Sequence, residues 1–174
     1  MALPLVSVWV RRLLGLAVIA AIGFGIWYYY SGRIGGESPY AGESGSSYAN
    51  RAMEIVQAAS NDTDQLAGGA DADLSACEAR DIAACERAIG HFNDVAARLD
   101  KARNDLSGLS PPAEAQSWQR DYLNLLSDNS SLCRRAVSAW AADDWEAFSG
   151  ISREFEALDS RENQLIDYFN KNLR

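Results

Sequence analysis

The stretch Trp118–Ala139, WQRDYLNLLSDNSSLCRRAVSA, decides the fold, because one set of its positions recurs at alternating intervals of four and three residues. These positions are Trp118, Tyr122, Leu125, Asn129, Leu132, Ala136 and Ala139. The spacing places them on one face of an α-helix and is typical of supercoiled helical bundles. Pro111-Pro112 precede the stretch and suit a first helical turn, where backbone N–H groups lack partners. We therefore predict an amphipathic helix that starts at Pro111-Pro112.

A second stripe with the same spacing follows Asp143-Asp144. Its members are Phe148, Ile151, Phe155, Leu158, Glu162, Leu165 and Phe169. The two stripes mirror each other about Asp143-Asp144, so that Trp118 falls level with Phe169 in an antiparallel pair. Because the mirror point falls on residues typical of a turn, we predict a helical hairpin whose second helix is capped by Asp143 or Asp144.

A third stripe lies upstream. Its members are Ile82, Cys85, Ile89, Phe92, Ala96, Leu99, Arg103 and Leu106. Ser75 with Glu78 resembles a capping box for the start of this helix, and Asp81 is an alternative start. The stripe mirrors that of the next helix about Leu109, which places Leu99 level with Trp118.

The first predicted helix, Tyr48 to Ala67, has the weakest pattern, and Gly68-Gly69 are predicted to end it. Val and Ile are sparse after residue 35, and no stretch alternates apolar and polar residues over five positions. This composition favours helices over strands. The sequence predicts an all-α fold in which residues 48–174 form an up-down-up-down antiparallel four-helix bundle.

A long apolar segment lies near the N-terminus. Leu13–Tyr30, LLGLAVIAAIGFGIWYYY, holds eighteen residues without a charge, amide or Pro. As a helix it would span about 27 Å, close to the hydrocarbon thickness of a bilayer. We predict a transmembrane helix over 13–30. The residues suited to the membrane interface lie before its start or at its end, and they are Trp9, Arg11, Arg12, Trp27, Tyr28, Tyr29 and Tyr30.

Two alternatives to this anchor are a cleaved signal peptide and a buried helix of a soluble protein. The apolar run ends in four aromatic residues and not in an Ala-x-Ala cleavage site, which favours the uncleaved anchor. Arg11 and Arg12 predict that the short N-terminus, 1–12, is cytoplasmic. The Gly/Ser-rich residues 31–47 are predicted to be a flexible tether, with the bundle outside the cytoplasm.

Small residues recur every four positions in the predicted anchor, at Ala17, Ala21 and Gly25. They form one face on which a second transmembrane helix could pack closely. All 24 acidic residues and 14 of the 16 basic residues follow Tyr30, which gives that part of the chain a net charge of −10. This charge disfavours nucleic acid as a partner. The expected partners are the lipid bilayer and other membrane protein subunits.

Three cysteines follow the anchor, which allows one disulfide and one free thiol in an oxidising compartment. The mirrored stripes place Cys85 and Cys133 at one level, so we predict a disulfide between them. A bridge between Cys77 and Cys85, or free thiols in the core, are the alternatives.

The sequence shows no set of residues for catalysis, for a cofactor or for a metal. His91 is the only histidine, and it has no Glu or Cys at ligand spacing. Glu162, Asn129 and Arg103 occupy stripe positions, either as a polar pocket or as residues that set register or turn outward. Trp140 and Trp145 flank the Asp143-Asp144 turn, either as a partner-binding tip or as caps of the core.

These features predict a structural or interaction protein and not an enzyme. The expected function is that of an accessory subunit in a larger membrane complex, anchored by one helix and presenting an acidic helical bundle outside the cytoplasm. The alternative is an extracytoplasmic bundle that binds a ligand or acts as a sensor. The sequence specifies no small-molecule ligand.

Overall fold

The computed structural model describes residues 43–78 and 81–173, and in these ranges it is all-α, with no strand. The helices are α1 (Glu43–Glu78), α2 (Ile82–Ser107), α3 (Gln116–Ala141) and α4 (Trp145–Asn172), with a 3-10 turn at Ala113–Ala115. The predicted all-α fold is confirmed. The predicted transmembrane helix, its packing face and its interface residues lie outside the described residues. Within the described ranges, no helix has the length and apolar character needed to cross a bilayer.

Helix α1 is much longer than its sequence pattern predicts. It begins at Glu43, inside the predicted tether, and it continues through Gly68-Gly69, so the predicted helix end at these glycines was wrong. A mid-helix glycine costs about 1 kcal/mol relative to alanine. Here the cost is offset by packing, because a Cβ atom at Gly69 would lie 3.1 Å from Cε1 of His91 on α2. Gly69 therefore permits a close approach of two helices.

Aspartates cap two of the helices. The Oδ1 atom of Asp81 accepts a hydrogen bond from the backbone N–H of Ala84 at 3.2 Å, at the start of α2. Asp144 caps α4 in the same way through Ala147 at 2.9 Å. Of the predicted alternatives, Asp81 and Asp144 are thus the caps, and the predicted start of a helix at Ser75 was wrong.

The predicted register of α3 and α4 is confirmed. The ring of Trp118 lies with its centroid 4.5 Å from that of Phe169, and its Nε1–H donates to the backbone oxygen of Leu165 at 3.0 Å. Towards the other end of the pair, the guanidinium of Arg135 donates to both carboxylate oxygens of Glu154 at 2.7 and 2.8 Å. The two helices are therefore antiparallel and in contact over most of their length.

The predicted register of α2 and α3 was wrong. Gln119, near the start of α3, donates to the backbone oxygen of Leu106 at 2.5 Å, and Ser130 donates to Asp100 at 2.7 Å. Leu99 is therefore not level with Trp118. The reason lies in the connection, where the prolines and the 3-10 turn delay the start of α3 to Gln116 and so lengthen the link. The centre of the hairpin shifts beyond Leu109.

The buried face of α2 is also rotated relative to the predicted stripe. Ile82 is 75% exposed and Arg103 is exposed, although both belong to the predicted stripe. The buried residues of α2 are Ala84, Ala88, Phe92, Val95, Ala96, Leu99, Ala102 and Leu106. Four of these residues are alanines, and the buried positions of α1 likewise include small residues, at Ala52, Ser60, Thr63 and Ala70. Small side chains on both helices allow α1 and α2 to lie close together.

Candidate functional site

The disulfide joins Cys77 to Cys85, with an S–S distance of 2.00 Å, and Cys133 is a buried free thiol. The prediction of a Cys85–Cys133 bridge was wrong, and the alternative bridge is observed. The altered register explains the difference, because Ser130 of α3 contacts the backbone of Ala96, so Cys133 lies more than two helical turns from Cys85. Burial raises the pKa of the Cys133 thiol to about 12, which makes it unreactive.

A charged cluster lies beside the disulfide. Arg87 of α2 donates through Nε to Asp73 of α1 at 2.9 Å, and Nε2 of His91 lies 3.3 Å from the other oxygen of Asp73. The Arg87 hydrogen bond lowers the pKa of Asp73. Residues 43–78 and 81–173 contain no group of His, Cys, Asp and Glu side chains placed to bind a metal ion. The cluster and the disulfide together fasten the C-terminal end of α1 to α2.

Replacing both Cys77 and Cys85 with serine is expected to lower the free energy of unfolding by about 2–3 kcal/mol, because the bridge closes a loop in the unfolded chain. The loop is short, with a sequence separation of 8 residues. Urea denaturation followed by circular dichroism measures the effect. Reductant should destabilise the native protein equally and leave the double variant unchanged. An unaltered midpoint in the double variant would contradict the prediction.

A hydrogen-bonded pair lies in the core between α3 and α4. The hydroxyl of Tyr122 donates to Oε1 of Glu162 at 2.9 Å, and Glu162 is only 5% exposed. Burial is the main cause that raises the pKa of Glu162 to about 7. The nearby charge of Asp159 also raises this pKa, whereas the hydrogen bond from Tyr122 lowers it. Burial and the Glu162 charge also raise the pKa of Tyr122 well above its usual value. The pair therefore favours a neutral carboxyl group.

The other polar residues of the predicted stripes are not part of this pair. Asn129 is buried, and its side chain donates to the backbone oxygen of Leu125 within its own helix at 3.1 Å. Arg103 is exposed, which agrees with the alternative that this stripe residue turns outward from the core. Of the three stripe residues considered for a polar pocket, the structure thus brings only Glu162 into a side-chain contact between helices.

The sequence patterns missed a polar network that joins α2 to α3. Ser130 donates to Oδ1 of Asp100 at 2.7 Å and accepts from Arg134 at 2.6 Å, while Arg134 also contacts the second oxygen of Asp100. Arg134 and Ser130 lower the pKa of Asp100 against the effect of its partial burial. The only available signal was the i, i+4 spacing of Ser130 and Arg134, which does not identify the partner on another helix.

The predicted tip at the α3–α4 turn is in part a cap of the core. Trp140 is partly buried, and its ring stands edge-on to that of Phe148 with centroids 6.1 Å apart. Asp143 in the turn is exposed and has a positive φ of 56°. The side chain of Trp145 lies outside the described part of the structure. Trp140 therefore packs on the core, and contact of this tip with a partner stays a prediction.

No protein-family model, no curated protein and no solved structure matches this chain.

Proposed function

We propose that this chain is a single-pass, membrane-anchored interaction protein, an accessory subunit that presents an acidic helical bundle outside the cytoplasm. The observation that carries the proposal is the Cys77–Cys85 disulfide. Structural disulfides persist in oxidising compartments and are rare in the cytoplasm. A bundle that follows an uncharged segment of eighteen residues and bears such a bridge fits a domain anchored by 13–30 and exposed on the far side of the membrane.

The chemistry of the described residues supports an interaction role. The clusters at Asp73, Asp100 and Glu162 each join two helices, so their polar atoms are engaged in holding the bundle together. The acidic surface excludes nucleic acid by repulsion and favours partners with basic or neutral faces. The predicted face of Ala17, Ala21 and Gly25 supplies a second contact, with another membrane helix.

The proposal is tested by isolating the full-length protein, through a C-terminal tag, from native membranes in a mild detergent. We expect membrane proteins at near-equal amounts in the eluate by quantitative mass spectrometry. Replacing Ala21 and Gly25 with isoleucine keeps the segment apolar but removes its small-residue face, so we expect this variant to insert and to lose the companions. Recovery of the native protein alone, or a bridge that is reduced in intact cells, would refute the proposal.

The second candidate is a ligand-binding bundle, favoured by the buried Glu162–Tyr122 pair. A carboxyl group in a core is a common element of sites for polar ligands. A rise in melting temperature with one class of small molecule, lost in Glu162→Gln, would support this candidate over the first.

A further inference from the structure

The last residues of α1 bury little of the core. Helix α1 continues beyond Gly68-Gly69 through residues 70–78, which we name the terminal segment. Of the side chains in this segment that the structure describes, only that of Ala70 is buried. The apolar core residues of α1 come earlier, at Tyr48, Ala49, Ala52, Met53 and Val56. The described side chains of the terminal segment therefore gain little stability from burial.

The composition of the terminal segment is also unfavourable for a helix. Glycine is one of the weakest helix formers, and two glycines directly precede the segment. Asp73 and Glu78 lie in the last two turns of Glu43–Glu78, near the negative end of the helix dipole, and the last turn has no basic residue. Glycines also commonly end helices. Without its contacts to α2, we expect α1 to end at Gly68-Gly69.

Side-chain contacts with α2 hold the terminal segment in place. Asp73 accepts a hydrogen bond from Nε of Arg87 at 2.9 Å, and its other carboxylate oxygen lies 3.3 Å from Nε2 of His91. The Arg87 side chain is 54% exposed, so water weakens this ion pair. The Cys77–Cys85 disulfide is a covalent link between the last turn of α1 and the first turn of α2. The segment therefore depends most on the disulfide.

The disulfide is accessible from solvent. Cys77 and Cys85 are both partly exposed, and Sγ of Cys85 lies in an exposed contact with the backbone oxygen of Asp81 at 3.4 Å. Cys133, by contrast, is buried. Cys85 is in the first turn of α2, where the positive end of the helix stabilises a thiolate. We therefore expect a reductant to attack Cys77 and to displace Cys85.

We propose that the Cys77–Cys85 disulfide is a redox-sensitive latch, whose reduction by a dithiol releases the terminal segment from α2 and ends α1 at Gly68-Gly69. One thiolate of the dithiol bonds to Sγ of Cys77, the S–S bond of the bridge breaks, and Cys85 leaves as a thiolate. The second thiolate of the dithiol attacks its own sulfur in this mixed disulfide and displaces Cys77. The dithiol becomes a disulfide, and its two protons pass to the cysteine thiolates.

The release is confined to one end of one helix. The core residues of α1 precede Gly68, so its first part stays packed. Helix α2 is joined to α3 through Asp100 and Ser130, and α3 is joined to α4 through Arg135 and Glu154. Neither contact involves residues 70–78. The latch goes beyond the proposed function and does not depend on whether 13–30 spans a membrane.

The expected size of the effect follows from the loop that the disulfide closes. Its sequence separation is 8 residues. On chain-entropy grounds, opening a loop of this length increases the ratio of released to bound terminal segment up to roughly 60-fold. Backbone amides exchange their hydrogen from the released form, so their exchange should accelerate by up to the same factor.

The test is hydrogen exchange, followed by mass spectrometry, of the full-length protein in detergent before and after treatment with dithiothreitol. Alkylation of Cys77 and Cys85 verifies that the bridge is reduced. We expect amides in 70–78 to exchange up to roughly 60-fold faster, and those in 48–66 and 116–172 to be unchanged. The double variant Cys77→Ser with Cys85→Ser should exchange rapidly in 70–78 without reductant and should not respond to it.

Two glycine variants test where the helix ends. Among the described residues, a Cβ atom added at Gly68 or at Gly150 meets nothing within 4 Å outside its own stretch of helix. Alanine favours a helix over glycine by roughly 5-fold. Gly68→Ala should therefore slow exchange in 70–78 of the reduced protein by about that factor. Gly150→Ala, on α4, is the matched control and should leave exchange in 70–78 unchanged.

Three results would overturn the proposal. The first is a terminal segment that keeps its slow exchange after both cysteines are alkylated. The second is faster exchange in all four helices, because the disulfide would then support the whole bundle. The third is an equal effect of Gly68→Ala and Gly150→Ala on the reduced protein, because the released helix would then not end at the glycines.

Discussion

Trp118→Ala is expected to lower the free energy of unfolding by about 3–5 kcal/mol, the largest effect of any single truncation in this core. Trp118 is 2% exposed, and its ring contacts those of Phe169 and Tyr122 with centroids 4.5 and 5.2 Å away. Truncation leaves a cavity between α3 and α4. It also removes the hydrogen bond from Nε1 to the backbone oxygen of Leu165. Urea denaturation of the full-length protein, followed by circular dichroism, measures the loss.

Two substitutions separate the contributions. Trp118→Phe keeps an aromatic ring but removes the Nε1–H donor, so it should cost about 1–3 kcal/mol. Tyr168→Ala, at a site 43% exposed on the same end of α4, should change stability by less than about 0.5 kcal/mol. A Trp118→Ala protein as stable as the Tyr168→Ala protein would show that Trp118 does not fill the core between α3 and α4.

Glu162→Gln is expected to stabilise the protein at pH 8 by up to about 3 kcal/mol and to leave its stability at pH 4.5 nearly unchanged. Glutamine keeps an oxygen that accepts the Tyr122 hydrogen bond and carries no charge at any pH. The folded-state pKa of Glu162 is raised to about 7 from a usual 4.5. Its contribution to stability is therefore fully present below pH 4.5 and is lost as the pH rises through 7.

Chemical denaturation at a series of pH values measures this effect. The native protein should lose stability between pH 4.5 and 7, and the Glu162→Gln protein should lose much less. Glu154→Gln is a control of opposite sign, because the Arg135 hydrogen bond lowers the pKa of Glu154, whose contribution is lost as the pH falls. Parallel pH profiles for the native and Glu162→Gln proteins would contradict the assignment of a neutral, buried carboxyl group.

The sequence predicted the α3–α4 hairpin well because both of its stripes keep strict spacing and its turn is short. Trp118 and Phe169 meet as the mirrored stripes require. Asp144, one of the two caps predicted for this helix, caps α4. Short connections leave little freedom, so register follows directly from the positions of the stripes in this hairpin.

The α2–α3 register could not be predicted in the same way. Pro111-Pro112 were interpreted as the start of a helix, but α3 begins at Gln116, after the 3-10 turn. Gln119 contacts the backbone oxygens of Leu106 and Leu109 and so fixes a longer connection. A shift of this kind moves every cross-helix pair, which is why the wrong partner was predicted for Cys85.

The length of α1 depended on a tertiary contact that no local pattern contains. Gly68-Gly69 resemble a helix end in isolation, yet Gly69 lies against His91 of α2.

The long α1 and the bridge at its end also determine how the domain carries mechanical load. Helix α1 has 36 residues and α2 has 26, and the disulfide joins the last turn of α1 to the first turn of α2. Tension applied to the N-terminal end of α1 acts parallel to its contacts with α2, so these contacts are loaded in shear and not peeled apart one by one. The covalent bridge then transmits the force to the first turn of α2. The residues between Cys77 and Cys85 are shielded from extension.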